Sequence, residues 1–345
     1  MEYYNISWNY TDYYFDGDYF HIGSTSFSTI YSSIKIFSIA CNSITILLGL
    51  AGNGLVIWIS GFKMKSISAV WFLNLAIADF ITSVFLIFRI MQMFLAFPSK
   101  YYSNLCNISI TSLFTNMVTS VHFLILISLD RCVSIMWPFW SKIHRTKKLA
   151  WTLSAVMWTV NIIFFCFQFA IADLDFLTFS ECSLIHYTPY RIIRYKASEN
   201  VMLIMLNICL FTVPFLTIFI SYGFILLKLR TLRRRRSARP FVTIAAILTS
   251  FFVCWFPYQT WSLVSLRYNE WRIDLIINEI ATILAYFNCA INPILYVLLS
   301  RGFKNNFVKS IPQKVEIILS DPDDLDDRND ENNINQRTNA LDTEV

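Results

Sequence analysis

Asp130 and Arg131 stand side by side near the close of a long apolar run, followed by Cys132, and Asn292-Pro293-Ile294-Leu295-Tyr296 interrupts another. A carboxylate, a guanidinium and an imino acid are costly in lipid-facing sequence, so these residue types inside apolar segments point to a working site. A third such position is Asp79, in Asn74-Leu75-Ala76-Ile77-Ala78-Asp79. Helical spacing offers it partners. Asn116 and Ser120 are four apart and share a face, Asn288 and Asn292 do the same, and Asn53 lies within a further apolar run. One carboxylate among amide and hydroxyl oxygens suits a hard cation such as sodium; it also suits a hydrogen-bond cluster that only ties helices together. No Gly-rich phosphate loop, metal-ligand spacing or convincing nucleophile–base pair accompanies these residues, so an enzyme is not expected.

The elements that must hold them are long. The chain is 56% hydrophobic and 15% charged, with a mean hydropathy of +0.51, above what a soluble domain needs. Apolar runs at roughly 36–60, 69–94, 108–133, 149–172, 201–227, 241–266 and 275–299 are each near or above the ~20 residues that carry a helix across the hydrocarbon core. The fold class expected is an all-α membrane protein, a seven-transmembrane helix bundle over residues 36–300. Lys63 and Lys65, then Lys142, Arg145, Lys147 and Lys148, then Lys228, Arg230, Arg233–Arg236 and Arg239 occupy alternate short loops. Those loops are therefore cytoplasmic, and the N-terminus is extracellular in a multi-pass plasma-membrane protein. Arg191, Arg194 and Lys196 are the exception on the outer side: a solvated loop, or a ligand-facing patch.

Residues 1–35 form an extracellular segment without a basic leader or apolar signal core, so the first span serves as signal anchor. Asn5-Ile6-Ser7 and Asn9-Tyr10-Thr11 are glycosylation acceptors there; Asn107 fits the pattern but abuts span three. Tyr3, Tyr4, Tyr10, Tyr13, Tyr14 and Tyr19 lie among Asp12, Asp16 and Asp18, a setting for tyrosine sulfation and for steering a basic ligand, or simply a solvated leader. At the other end, residues 301–312 carry basic residues with Phe303 and Phe307 four apart, as in a short amphipathic eighth helix lying on membrane lipid. No cysteine follows Cys289, so a palmitoyl anchor is not expected. Residues 313–345 form an acidic tail of disordered composition, and its terminal Asp342-Thr343-Glu344-Val345 fits the ligand class of PDZ-domain scaffolds. No nucleic-acid partner is expected.

Taken together, Asp130-Arg131-Cys132, Asn292–Tyr296, Asp79 and Cys254-Trp255-Phe256-Pro257 resemble the rhodopsin-like G-protein-coupled receptors, from about Ile36 to Phe307. Gly52-Asn53-Gly54-Leu55-Val56-Ile57-Trp58, Trp71–Ala76, Leu129–Val133 with His144-Arg145-Thr146, Arg239-Pro240 and Ala285–Asn288 resemble the chemoattractant group, in particular formyl-peptide and chemerin receptors.

The resemblance implies a receptor that binds an extracellular peptide, protein or lipid, activates a heterotrimeric G protein and meets arrestin. Arg131 would pair locally with Asp130 at rest and be freed when span six swings outward. Tyr222 and Tyr296 would restack, Trp255 would sense ligand, and Pro257 and Pro214 would kink their helices. Asp79, Asn53, Asn116, Ser120, Asn288 and Asn292 would form an allosteric sodium pocket; no other cofactor is implied. Cys106 and Cys182, both on the oxidising outer side, would form a disulfide that pins the loop between spans four and five.

One departure stands out. Formyl-peptide receptors carry an aspartate eight residues after the span-three cysteine and two arginines in span five, where this chain has Phe114, Met202 and Leu206. A different agonist is expected, with Tyr258, Arg89, Arg267 and Glu279 as further candidate ligand contacts. A light-driven protein is disfavoured, because residues 276–299 lack a lysine for a retinal Schiff base. A non-signalling scavenging receptor, or a chemosensory receptor of vomeronasal type, is the alternative within the same fold.

Overall fold

The structure, a computed structural model, describes residues 25–64, 66–94, 100–172, 205, 208–231, 239–264 and 271–298. These build eight α-helices and no strand among the described residues. They are α1 (Thr25–Trp58), α2 (Ile67–Phe94), α3 (Lys100–Met136), α4 (Pro138–His144), α5 (Lys147–Ala172), α6 (Val213–Thr231), α7 (Arg239–Val264) and α8 (Trp271–Leu298). A π turn, Ile59–Lys63, continues α1, and another, Ile208–Thr212, leads into α6. Among the described residues, five stretches are long and apolar enough to cross a membrane: Ser32–Lys63, Ile67–Phe94, Asn104–Met136, Lys147–Gln168 and Ile208–Ile225. The molecule is a helical membrane bundle. Helix α1 begins at Thr25, well ahead of the expected start near Ile36. Asn5, Asn9, Cys182, Met202, Leu206, Arg267, the stretch 301–312 and the tail 313–345 lie outside the described residues.

Helix α3 packs against α2, α5 and α6, while α1 lies against α2 and α8, and α8 against α7. Lipid offers no hydrophobic drive between helices, so association rests on close packing and internal hydrogen bonds. Two glycines show how close. A Cβ on Gly49 would fall 2.2 Å from Ser83 Oγ, and one on Gly52 would fall 2.7 Å from Pro293 Cβ. Only a residue without a side chain lets α1 sit flush against α2 and α8 there. Around this seam the largest fully buried side chains include Trp255, Tyr286, Tyr296, Phe72 and Phe123. Ile36, Leu47, Phe94, Ile163 and Phe219 point outward, as a lipid-facing surface requires. Serine and threonine hydroxyls within the apolar helices return to their own backbone, as Thr82 does to the Ala78 carbonyl and Ser128 to that of Leu124.

The prolines act differently from one another. Pro257 and Pro293 lie inside α7 and α8. Pro293 has no N–H to give the carbonyl of Cys289, four residues back. The Asn53 side chain supplies the missing donor, with Nδ2 2.7 Å from that oxygen. Pro214 is the second residue of α6, directly after the π turn that has already loosened the backbone ladder, so it lies inside the continuous helical stretch 208–231.

Candidate functional site

Polar residues enter the bundle at three levels along α2, and the sequence register explains the spacing. Arg89, Ser83 and Asp79 follow one another down α2 and meet Glu279, Cys289 and Asn292 in order along the antiparallel α8.

At the first level, Arg89 Nη2 donates to Glu279 Oε2 at 2.6 Å, and Nη1 donates to Gln92 Oε1 at 3.3 Å. Ser38 Oγ on α1 donates to the other Glu279 oxygen at 2.5 Å and accepts from Asn42 Nδ2 at 3.2 Å. Two residues expected as separate ligand anchors are therefore partners in one clasp joining α1, α2 and α8. Phe114 and Tyr258 are also brought together, edge to face at 5.7 Å between ring centroids. Tyr258 in turn meets Trp255 at 6.2 Å, and Trp255 is fully buried beside Phe251. Rings thus run unbroken from α3 to the residue two before Pro257. Tyr286 closes this end by donating to the Ser109 carbonyl at 2.8 Å. Cys106, close by on α3, is buried and disulfide-bonded.

At the middle level, Asp79 has no solvent exposure. Asn116 Nδ2 donates to one carboxylate oxygen at 3.1 Å and Asn292 Nδ2 to the other at 2.8 Å, which ties α3 and α8 to α2. Ser120, one turn along α3, presents its hydroxyl to the same carboxylate beyond hydrogen-bonding geometry. Asn288 is buried one turn before Asn292. Asn53 is buried too, and its amide is committed to the backbone of Gly49 and Cys289. The Oδ1 atoms of Asn53 and Asn116 are buried without a hydrogen-bond partner. These oxygens, with a carboxylate balanced by neutral amides alone, fit a hard monovalent cation.

At the third level, Arg145 holds Asp130 with both arms: Nε lies 2.7 Å from Oδ1 and Nη2 2.8 Å from Oδ2. Arg131 Nη2 donates to Ser68 Oγ at 2.5 Å, and Arg145 Nη2 shares that hydroxyl at 3.2 Å. Beside the expected Asp130–Arg131 neighbours stands a third residue, Arg145, as the bidentate partner of Asp130. Arg145 follows the short helix α4, whose Pro138 starts it and whose Ser141 packs back to Ser134, so the chain returns toward α3. Arg145 and Ser68 were missed as site residues. Arg145 entered the sequence reading as a loop charge and as part of the His144-Arg145-Thr146 stretch, without a role at Asp130. Nearby, Tyr296 meets the edge of Phe72 at 5.7 Å, and Tyr222 on α6 is half-buried with its hydroxyl unpartnered.

Residues 52–296 match the family described as 7 transmembrane receptor (rhodopsin family). N-formyl peptide receptor 3 of Homo sapiens is 32% identical over 304 residues, which cover 84% of this chain and 86% of that one. Formyl peptide receptor 2 of Mus musculus is 32% identical over 314 residues, covering 85% and 88%. Chemerin-like receptor 1 of Sus scrofa is 34% identical over 303 residues, covering 84% of each.

Proposed function

Because this chain belongs to the rhodopsin family of seven-transmembrane receptors, we propose that it binds a chemoattractant-type peptide, protein or lipid and drives nucleotide exchange on a heterotrimeric G protein. The family makes it a receptor and not an enzyme. In this reading the chain crosses the plasma membrane seven times, the Glu279 end of the bundle faces outward and the Arg131 end faces the cytoplasm. The observation that carries it is the run of buried polar residues linking the two ends through Asp79, in a bundle where every such residue is costly.

The mechanism follows from what each level can do. Ligand enters beside the rings of Phe114, Tyr258 and Trp255, the last of which sits two residues before the Pro257 bend. A bent helix lacking one backbone hydrogen bond has a hinge, so a push on Trp255 rotates the far half of α7. That motion opens the Arg131 end, where Arg131 leaves Ser68 and helps to line a groove for the G-protein α subunit. Ligand shifts this equilibrium only by binding the open state more tightly than the closed one.

Sodium bound at Asp79 would be held by the carboxylate with oxygens of Asn116, Ser120 and Asn53, and it would supply positive charge that favours the closed bundle. Asn288 and Asn292 complete the lining. A Cys106–Cys182 disulfide, arrestin binding, contact of residues 301–312 with lipid and PDZ capture of Val345 belong to the same reading.

The test is radiolabelled GTPγS exchange on a purified heterotrimer, driven by receptor in nanodiscs. Wild type is expected to accelerate exchange above lipid alone, and Arg131→Ala to remove at least nine-tenths of that acceleration, about the tenfold loss that ~1.4 kcal/mol represents. Undiminished exchange by a folded Arg131→Ala receptor sinks the assignment.

A further inference from the structure

Resting on that reading, we infer that Arg145, in the segment after α4, is a positioning residue for Arg131: it occupies the Asp130 carboxylate, and so holds Arg131 off that carboxylate and on Ser68. Arg131 itself belongs to the family's switch; Arg145 and Ser68 are assigned here from their contacts.

The geometry defines a competition. Asp130 offers two oxygens, and Arg145 fills both at 2.7 and 2.8 Å, the fork-on-carboxylate arrangement that only a guanidinium makes. Arg131, the adjacent residue, points its Nη2 to Ser68 Oγ, and Arg145 Nη2 meets the same oxygen. Two guanidiniums thus meet at one hydroxyl, and Arg145 also fills the carboxylate. The place is dry: Ser68 is 1% exposed and Arg131 3%, while the side chains of Asp130 and Arg145 are 7% and 15% exposed.

The other hydroxyls within reach are engaged. Ser134 Oγ donates to the backbone carbonyl of Asp130, and Ser141 Oγ donates to Ser134 Oγ. His144 Nδ1 faces the Trp140 carbonyl, on whose ring the imidazole stacks at 4.5 Å. If Arg145 is removed, a mostly buried carboxylate loses its partner, a state too unfavourable to persist. The nearest cation able to restore the balance is Arg131. Its guanidinium then turns to Asp130, and the closed bundle is held by a tighter local pair. Arg145 thereby couples the segment after α4 to the switch, and its removal lowers receptor output.

The test is ligand-independent GTPγS exchange on a purified heterotrimer with receptor in nanodiscs, for Arg145→Ala, Arg145→Lys, Asp130→Asn and the Asp130→Asn/Arg145→Ala double variant, beside Arg131→Ala. Arg145→Ala is expected to lower exchange about threefold or more, in the range of coupling between contacting residues. Arg145→Lys, a cation without the fork, recovers part of it. In the Asp130→Asn background the Arg145→Ala change becomes silent, because no carboxylate remains to recapture Arg131. Arg145→Ala exchange equal to or above wild type overturns the inference, and so does an undiminished Arg145→Ala effect in the Asp130→Asn background, which marks Arg145 as a fold-supporting residue. Arg131→Ala separates the two failures. If it leaves exchange intact, the G-protein reading falls; if it abolishes exchange while Arg145→Ala does not lower it, only the role of Arg145 falls.

Discussion

Asp130 and Asp79 are treated in opposite ways. Asp130 meets a guanidinium on both oxygens, so its charge is cancelled by a partner of matching shape. Asp79, more deeply buried, meets neutral groups: the amides of Asn116 and Asn292, with the Ser120 hydroxyl nearby. Hydrogen bonds from neutral donors engage both of its oxygens but bring no positive charge. A carboxylate that only ties helices together gains nothing from staying uncompensated. Asp130 is thus the holding group of a lock, while Asp79 has no cationic partner among the described residues.

This contrast breaks or sharpens under substitution. The largest loss of stability is expected at Asp130→Asn, which strips the counter-charge from Arg145 and Arg131. The amide keeps one acceptor, so the cost is about 2 kcal/mol, below the ~3–5 kcal/mol of a fully broken buried pair. A thiol-reactive dye reporting on buried Cys254 and Cys289 during heating reads this as a drop of several degrees in the unfolding midpoint. An unchanged midpoint would remove the idea that charge cancellation holds this end together.

Asn292→Ala is next, at roughly 1–2 kcal/mol, because one oxygen of Asp79 is left without its donor. The same dye assay applies, and an effect as small as that of a lipid-facing substitution would mean that Asn292 does not support the carboxylate.

The smallest change in stability belongs to Asp79→Asn, within about 1 kcal/mol, since no ion pair is lost. Its signature lies elsewhere. Replacing choline by sodium should lower ligand-independent GTPγS exchange by wild type and leave the variant unmoved. Equal sodium sensitivity in both would make the Asp79 cluster a helix tie only.

Much of the middle level was legible because it depends on local period. Asn116 and Ser120 share a face by spacing, and so do Asn288 and Asn292; helical geometry then carries Asn116 and Asn292 to Asp79. The ends were less legible for the same reason inverted. Arg89 and Glu279 were visible as charges, but their pairing spans 190 residues and depends on how α2 meets α8. Arg145 reaches Asp130 only because the short α4 turns the chain back, a matter of loop path rather than periodicity. Pro214 suggested a kink from its type alone, whereas the π turn directly before it could not be read from the sequence. The departure at Phe114 was legible as an absent charge, and the structure adds what stands in its place, a ring packed on Tyr258.

The donor that Asn53 lends to the Cys289 carbonyl has a mechanical consequence. A proline bend left to itself is a loose joint, free to flex over a range of angles. Here the joint at Pro293 is splinted from outside: α1 lies flush along it at Gly52, and the Asn53 amide grips the carbonyl that the proline cannot reach. The bend therefore has a stop on one side, set by a neighbouring helix and not by α8 itself. Tyr296 lies less than one turn beyond, so residues on α1 help to set the angle at which its ring meets Phe72.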